Sequence, residues 1–351
     1  MKQTHTINMI HKNSKSIPET DPSDLIRVRD SIYAPDLLVT AIGHLDFFTG
    51  INKFQLDFDG LCSHFKLDKR CADVMLTYFV SLGLISVDNG IYFVTTLASE
   101  FLLSASNWNL VPYFSNHLER PIVEKMLNAL KTGEPQSWGG KKDGQNWGKA
   151  MENPGFAHMF TAGMVSRGAY FAPGIANNFD FSKYQTILDI GGGSGIYVAT
   201  IIEHFPNLTG GVFEKSPVDK IAEISIIQKG IQNAVRIYEG DMFVTIPHGF
   251  DVHLFSHVMH DWNIEQNTIL IKNSFDSLNK GGVIMIHDAH INPDKSGPLS
   301  VAEYSILLMF STHGKCYSVS ELEEMLESVG FGNIEEIKTI GNRSIIIGQK
   351  T

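Results

Sequence analysis

The 351-residue chain predicts an α/β fold, a mostly parallel seven-stranded sheet with helices on both faces, preceded by a mainly helical amino-terminal region. Three observations carry this expectation. Residues 186–195 read Thr-Ile-Leu-Asp-Ile-Gly-Gly-Gly-Ser-Gly, an apolar run that enters a glycine turn, and Ile196 begins a helix. From Thr186 onward, short apolar runs alternate with helical periodicities. Between Leu25 and about Leu103 the pattern is mostly helical.

Taken in chain order, residues 1–22 are polar and read as a flexible arm without an apolar core of signal-peptide length. Leu37, Leu38, Ala41, Ile42, Leu45 and Phe48 fall at helical spacing and predict one helix over Asp36–Phe48. Phe58–Phe65 reads as a short helix and Lys69–Leu82 as another, stopped by Gly83. Leu84-Ile-Ser-Val and Ile91-Tyr-Phe-Val flank Asp88-Asn-Gly, a hairpin signal. Helix, helix, hairpin is the outline of a winged helix, which serves either DNA binding or scaffolding and dimerisation. The second helix carries Asp68, Lys69, Arg70 and Asp73 and is no basic surface, so the scaffold reading is preferred.

Residues 104–180 are aromatic and irregular, with Trp108, Tyr113, Phe114, Trp138, Trp147, Phe156, Phe160, Tyr170 and Phe171 beside Met151, Met159 and Met164. Most of these read as plain core. The Phe156–Met164 helix, which precedes the glycine turn, is expected to line a pocket for a flat apolar substrate. Strands are predicted at 186–190, 209–214, 235–239, 251–256 and 282–288, with two more near 333–338 and 343–349. Helices are predicted at about 196–204, 216–229, 262–278, 298–310 and 319–329, the last with a capping signal Ser320-x-x-Glu323 and Gly330 at its end.

Composition narrows the function. The net charge of −10 argues against nucleic acid or an anionic membrane as partner. Cys62, Cys71 and Cys316 are scattered and odd in number, which fits a reducing, cytoplasmic setting better than a disulfide framework or a zinc site. No run of 18 apolar residues occurs.

The glycine turn narrows the ligand. A dinucleotide fingerprint needs G-x-G-x-x-G, but its last position is Ile196 counted from Gly191 and Val198 counted from Gly193. What remains is Asp189-x-Gly191-x-Gly193-x-Gly195, suited to close approach by a compact ligand without a pyrophosphate. Glu214 ends the next strand and can accept two hydrogen bonds from a ribose diol. Asp241 can accept from an exocyclic amine and Met242 can pack on a ring face. In this order the residues describe a site for adenosine without phosphates, which S-adenosylmethionine satisfies.

Residues 186–349 resemble a class I S-adenosylmethionine-dependent methyltransferase domain with a Rossmann-like sheet, the final strand pair matching that fold's reversed last strand. From Leu25 to the end, the chain is similar to the metal-independent small-molecule O-methyltransferases, a family with plant caffeic-acid-type, hydroxyindole and bacterial polyketide-tailoring members. Its more specific mark is Ser256-His-Val-Met-His-Asp-Trp262. The resemblance implies an arm over 1–22, a winged-helix dimerisation domain over 23–105 and a helical linker contributing to the substrate pocket over 106–180. It places the S-adenosylmethionine-binding domain at 181–351. It further implies a homodimer, no metal, a small hydroxylated substrate, and donor contacts from Asp189, Gly191, Gly193, Glu214, Asp241, Met242 and Ser256. Phe156, Phe160, Met164 and Met309 are expected at the substrate.

In this family the His of the His-Asp-Trp motif is the general base, here His260. It sits just past the fourth strand, at the sheet's active edge. The acceptor oxygen must lie in line with the methyl carbon and sulfur, roughly 3–3.5 Å from the carbon. An imidazole of pKa ~6.5 facing a phenol of pKa ~10 is uphill by about 5 kcal/mol. A simple alcohol near ~15.7 would cost about 12 kcal/mol, so the base suits phenols and enols. A carboxylate should orient the ring. Asp261 is adjacent and on another face, which leaves Asp288 at the end of the fifth strand as the better candidate, a helix or loop acid with no catalytic part being the alternative.

Two departures from the plant-type pattern stand out. Its second Glu, after Gly314-Lys315, is here Cys316, and a Lys four residues before the catalytic His is here Ser256, as in bacterial members. Cys316 leaves room for a relative that binds the donor yet hydroxylates, decarboxylates or catalyses a pericyclic step. The pairs His257/His260 and His287/His290 share an i, i+3 spacing that a metal could use. His257 reads instead as a packed strand-end residue and Cys316 as a small buried apolar group.

Overall fold

The computed structural model describes residues 18–137, 151 and 153–351. Trp138, Trp147 and residues 1–17 of the expected arm lie outside the described residues.

The chain opens with helices α1 (Ser23–Asp30), α2 (Ala34–Gly43) and α3 (Phe47–Phe54). The single helix expected over Asp36–Phe48 is therefore two. The apolar spacing runs through the break, but α2 stops at Gly43 and Asp46 adopts a left-handed φ of 46°. The turn lets Phe47 and Phe48 enter the core from a new direction, both fully buried. Helix α4 (Phe58–Phe65) starts on the Asp57 carboxylate, which accepts the Gly60 N–H at 2.8 Å. Helix α5 (Lys69–Ser81) starts in the same way on Asp68, which accepts the Cys71 N–H. Strands β1 (Ile85–Asp88) and β2 (Ile91–Val94) pair antiparallel across Asn89 and Gly90, whose φ values of 48° and 79° suit a two-residue hairpin turn. Helices α6 (Thr96–Phe101), α7 (Val111–Ser115) and α8 (Pro121–Thr132) complete this half.

A 25-residue helix, α9 (Pro154–Asn178), leads into the sheet domain. Next come β3 (Thr186–Ile190), α10 (Ile196–His204), β4 (Thr209–Glu214), α11 (Val218–Gln228) and β5 (Val235–Glu239). They are followed by β6 (Phe250–Ser256), α12 (Ile264–Ser277) and β7 (Leu278–Asp288). The chain closes with α13 (Leu299–Ser311), α14 (Val319–Val329), β8 (Phe331–Lys338) and β9 (Ser344–Lys350). The sheet order is β5-β4-β3-β6-β7-β9-β8. Only β9 runs against its neighbours, pairing antiparallel with both β7 and β8. The order reverses between β3 and β6, and ligands of open α/β sheets bind outside the carboxyl ends of the strands at such a switch point.

The capping box of α14 lies two residues ahead of the expected one. Ser318 accepts the Glu321 N–H and Glu321 accepts the Ser318 N–H. The helix itself spans the expected 319–329, and a backbone bridge between Ile291 and Ser318 holds the chain at its cap, with the Val319 N–H on the Ile291 carbonyl at 3.0 Å. Gly330 ends it with φ 112°.

Three cores hold the molecule. One lies on each face of the sheet, under α9–α11 and under α12 and α14. The third is shared. Leu37, Phe47, Met75 and Phe79 of the helical half pack with Ala302, Ile306, Met309 and Phe310 of α13. Arg70 of α5 ties the same junction, donating to the carbonyls of Gly133 (2.6 Å), Gly314 (2.7 Å) and Met309 (3.4 Å). No described helix is long and apolar enough to cross a membrane.

Candidate active site

The donor edge is built mostly from backbone. Gly191, Gly193 and Gly195 take φ values of 65°, 59° and 75°, which side chains rarely adopt. Their surroundings differ. A Cβ on Gly195 would stand 2.8 Å from Val212, and one on Gly192 would stand 2.6 Å from the Asp189 carboxylate, so packing demands glycine at both. A Cβ on Gly193 would meet nothing within 4 Å, so this glycine leaves open room for a ligand. The Gly193 N–H donates to Glu214 Oε1 at 3.1 Å and the Lys215 N–H to Oε2 at 2.9 Å. Two amides thus aim the Glu214 carboxylate, while burial pushes its pKa up to about 7.

Asp241 is fixed by the Phe243 N–H at 3.0 Å and Lys215 Nζ at 3.1 Å. Met242 faces the turn, its sulfur 4.0 Å from where a Gly191 Cβ would stand. Asp189 is fully buried beneath the turn and accepts the Val198 N–H at 3.4 Å, while its Oδ1 finds no partner. A diol acceptor, an amine acceptor, a thioether and an uncovered glycine at one sheet edge fit an adenosyl ligand without phosphates.

On the far side of the switch point, His260 follows β6 in a short 3₁₀ turn and Asp288 ends β7. His260 Nδ1 lies 2.8 Å from the Asp288 carboxylate, and both groups are buried. Asp261 Oδ1 stands 3.7 Å from Nε2, beyond hydrogen-bond reach, which decides for Asp288 as the partner. Burial would lower the His260 pKa, but the Asp288 and Asp261 carboxylates outweigh it and raise it above the ordinary imidazole value. Burial would raise Asp288, but His260 and His257 hold it well below the usual carboxylate range.

His257 also reaches Asp288, Nδ1 to Oδ1 at 3.2 Å, from a left-handed φ of 56° that β-branched or bulky residues avoid. Burial and the Arg167 charge push its pKa well below the usual range, so it stays neutral. The donor atoms of His257, His260 and Asp288 lie within 4.8 Å of one another. The other pair diverges: His287 Nδ1 meets Ser256 Oγ at 2.9 Å, and His290 Nδ1 meets Ser344 Oγ at 2.8 Å. Ser256 is thus at the sheet edge but engaged with β7. Cys316 is buried, burial raises its thiol pKa well above the usual value, and its backbone N–H donates to Ser305, so it supplies neither acid nor base.

Helix α9 crosses this wall. Phe171 packs on His257 with ring centroids 5.6 Å apart. Met164, Phe160 and Phe156 continue the stripe towards the helix start, all partly buried. Met309 is fully buried in the core shared with the helical half. Sequence reasoning passed over Tyr304 beside His260, Arg167 bonded to it, and Tyr197 beside His257 and His287. Tyr304 stands edge-on to His260 at 5.7 Å and accepts a hydrogen bond from Arg167 at 3.1 Å. The signal for Arg167 was available, since it continues the Phe160–Met164 stripe at helical spacing.

Known proteins resemble the chain over much of its length. Residues 124–332 match the family model of the O-methyltransferase domain. The chain is 26% identical to 3-hydroxy-5-methyl-1-naphthoate 3-O-methyltransferase of Streptomyces sahachiroi, over 81% of this chain and 83% of that one. It is 24% identical to the tetracenomycin polyketide synthesis 8-O-methyltransferase of Streptomyces glaucescens, over 94% and 97%. Among solved structures, an O-methyltransferase family 2 protein of Planctomyces limnophilus in complex with apigenin superposes with a TM-score of 0.87 at 26% identity, covering 97% and 99%.

Proposed function

The chain belongs to the O-methyltransferase domain family, and from that premise we propose that His260, oriented by Asp288, takes the proton from a phenolic or enolic hydroxyl as a methyl group moves onto that oxygen. S-adenosylmethionine is the methyl donor, and when bound it supplies an electrophilic methyl on a sulfonium. The naphthoate, polyketide and apigenin named for the relatives and for the neighbouring complex support a hydroxylated, mostly aromatic acceptor for this chain as well.

The observation that carries the reading is the 2.8 Å contact between His260 Nδ1 and Asp288. It supports a ring proton on Nδ1, which would leave the Nε2 lone pair as acceptor. Because the carboxylates raise the His260 pKa, the proton transfer from a phenol is less uphill than for a free imidazole. Gly191, Gly193, Glu214, Asp241 and Met242 would hold the adenosyl end, with Asp189 and Ser256 bracing the strand ends beneath it. Phe156, Phe160 and Met164 are assigned to the acceptor side, whereas Met309 packs in the core shared with the helical half. The helical half, with Leu25, Val28, Trp108 and Tyr113 more than 60% exposed, is proposed as the surface joining two copies.

The test is incubation with methyl-labelled donor and a panel of phenols, naphthols and aliphatic alcohols. Label is expected on phenolic oxygen and not on the alcohols. Label confined to the donor across the panel overturns the proposal.

A further inference from the structure

Arg167 is a partly buried cation without an ion-pair partner among the described residues. Its Nη1 donates to the Tyr304 hydroxyl at 3.1 Å, and its Nε is buried with no partner. Among the described residues, no carboxylate lies within the 4.0 Å of an ion pair. Other arginines of the chain are treated differently. Arg27 forks onto Glu303 at 2.6 and 2.9 Å, Arg120 meets Asp36 at 2.7 Å, and Arg343 lies 3.8 Å from Asp30 between the rings of Phe171 and Tyr304. A guanidinium whose Nε is buried without a partner is costly unless an anion joins it.

The placement indicates which anion. Tyr304, which anchors Arg167, presents its ring edge-on to His260 at 5.7 Å, so the guanidinium stands on the wall that faces the base. It continues the α9 stripe of Phe160 and Met164, next to Phe171 on His257. A planar fork of donors beside an aromatic stripe matches an aryl carboxylate. We propose that Arg167 is a specificity-determining residue that grips a carboxylate on the acceptor, making a hydroxy-aryl acid the preferred substrate class. The inference rests on the methyl-transfer reading of the site and deepens it.

The test pairs 3-hydroxy-2-naphthoate with 2-naphthol and compares the wild type with Arg167→Met and Arg167→Lys, each checked for folding by thermal melting. Binding to enzyme loaded with S-adenosylhomocysteine is measured by calorimetry, beside kcat/KM. The wild type is expected to prefer the acid, and Arg167→Met to lose about 10- to 100-fold of that preference. Arg167→Lys should keep part of it and serves as the control if the Met variant does not fold. An acid preference unchanged in a folded variant overturns the proposal. So does a loss confined to S-adenosylhomocysteine affinity, which would reassign Arg167 to the donor. Arg167-dependent binding of the acid without methylation of any phenol would uphold the inference and defeat the proposed reaction instead.

Discussion

The two sides of the site are held by different means. At the donor edge, the Gly193 and Lys215 amides aim Glu214, and the glycine turn occupies five consecutive residues. At the acceptor wall, His260, Asp288, Arg167, Phe171 and Tyr304 come from four separate elements and touch through side chains. Backbone geometry tolerates exchange of neighbouring side chains, whereas a network of buried polar groups fails when one member is removed. Donor affinity is therefore expected to be robust and turnover fragile.

The sharpest way to break this contrast is His260→Ala. Turnover is expected to fall by roughly 10²–10⁴ while calorimetry with S-adenosylhomocysteine stays near the wild-type value. Equal losses in both would show that the two sides are one unit. Asp288→Asn comes next, with about 10- to 100-fold lost from kcat. The sign of its pH effect follows from the raised His260 pKa: the proposed base acts in its neutral form, so the wild-type rate is expected to climb as pH rises through that value. Removing the carboxylate lowers the pKa, so the rising limb of the rate profile should move to lower pH even as its plateau drops.

Glu214→Gln probes the other side, and donor affinity should weaken about tenfold with kcat nearly kept. Burial sets Glu214 near pH 7, and the ionised form is the better acceptor, so wild-type donor affinity should strengthen as pH rises through about 7. In the Gln variant that dependence should flatten, which titration calorimetry at several pH values can read. Smallest of all is Cys316→Ala. A buried thiol with a raised pKa does no chemistry here, and kcat should stay within about threefold.

The same contrast governs how much of the molecule was legible in its sequence. The turn at 191–195, Glu214 and all seven main-sheet strands follow from local spacing, so their positions came within a few residues. Periodicity failed where a distant contact decided. Nothing between Asp36 and Phe48 announces the left-handed Asp46; near the last helix, Ser318-x-x-Glu321 and Ser320-x-x-Glu323 are equally good local signals, and the bridge to Ile291 accompanies the first. Asp288 was found as a candidate because it ends a strand, but only the folded sheet brings it against His260. Arg167 and Tyr304 lie 137 residues apart, a separation no local pattern spans.

One guanidinium gives the fold a consequence for recombination. Arg70 belongs to the helical half, yet it grips Gly314, and Thr312 in the same loop reaches the His260 carbonyl at 3.5 Å. A chimaera that takes its first half from one parent and its second from another would bring together an arginine and carbonyls drawn from different parents. Crossovers between residues 133 and 309 should therefore succeed chiefly when both parents carry the same staple, however well their individual halves fold.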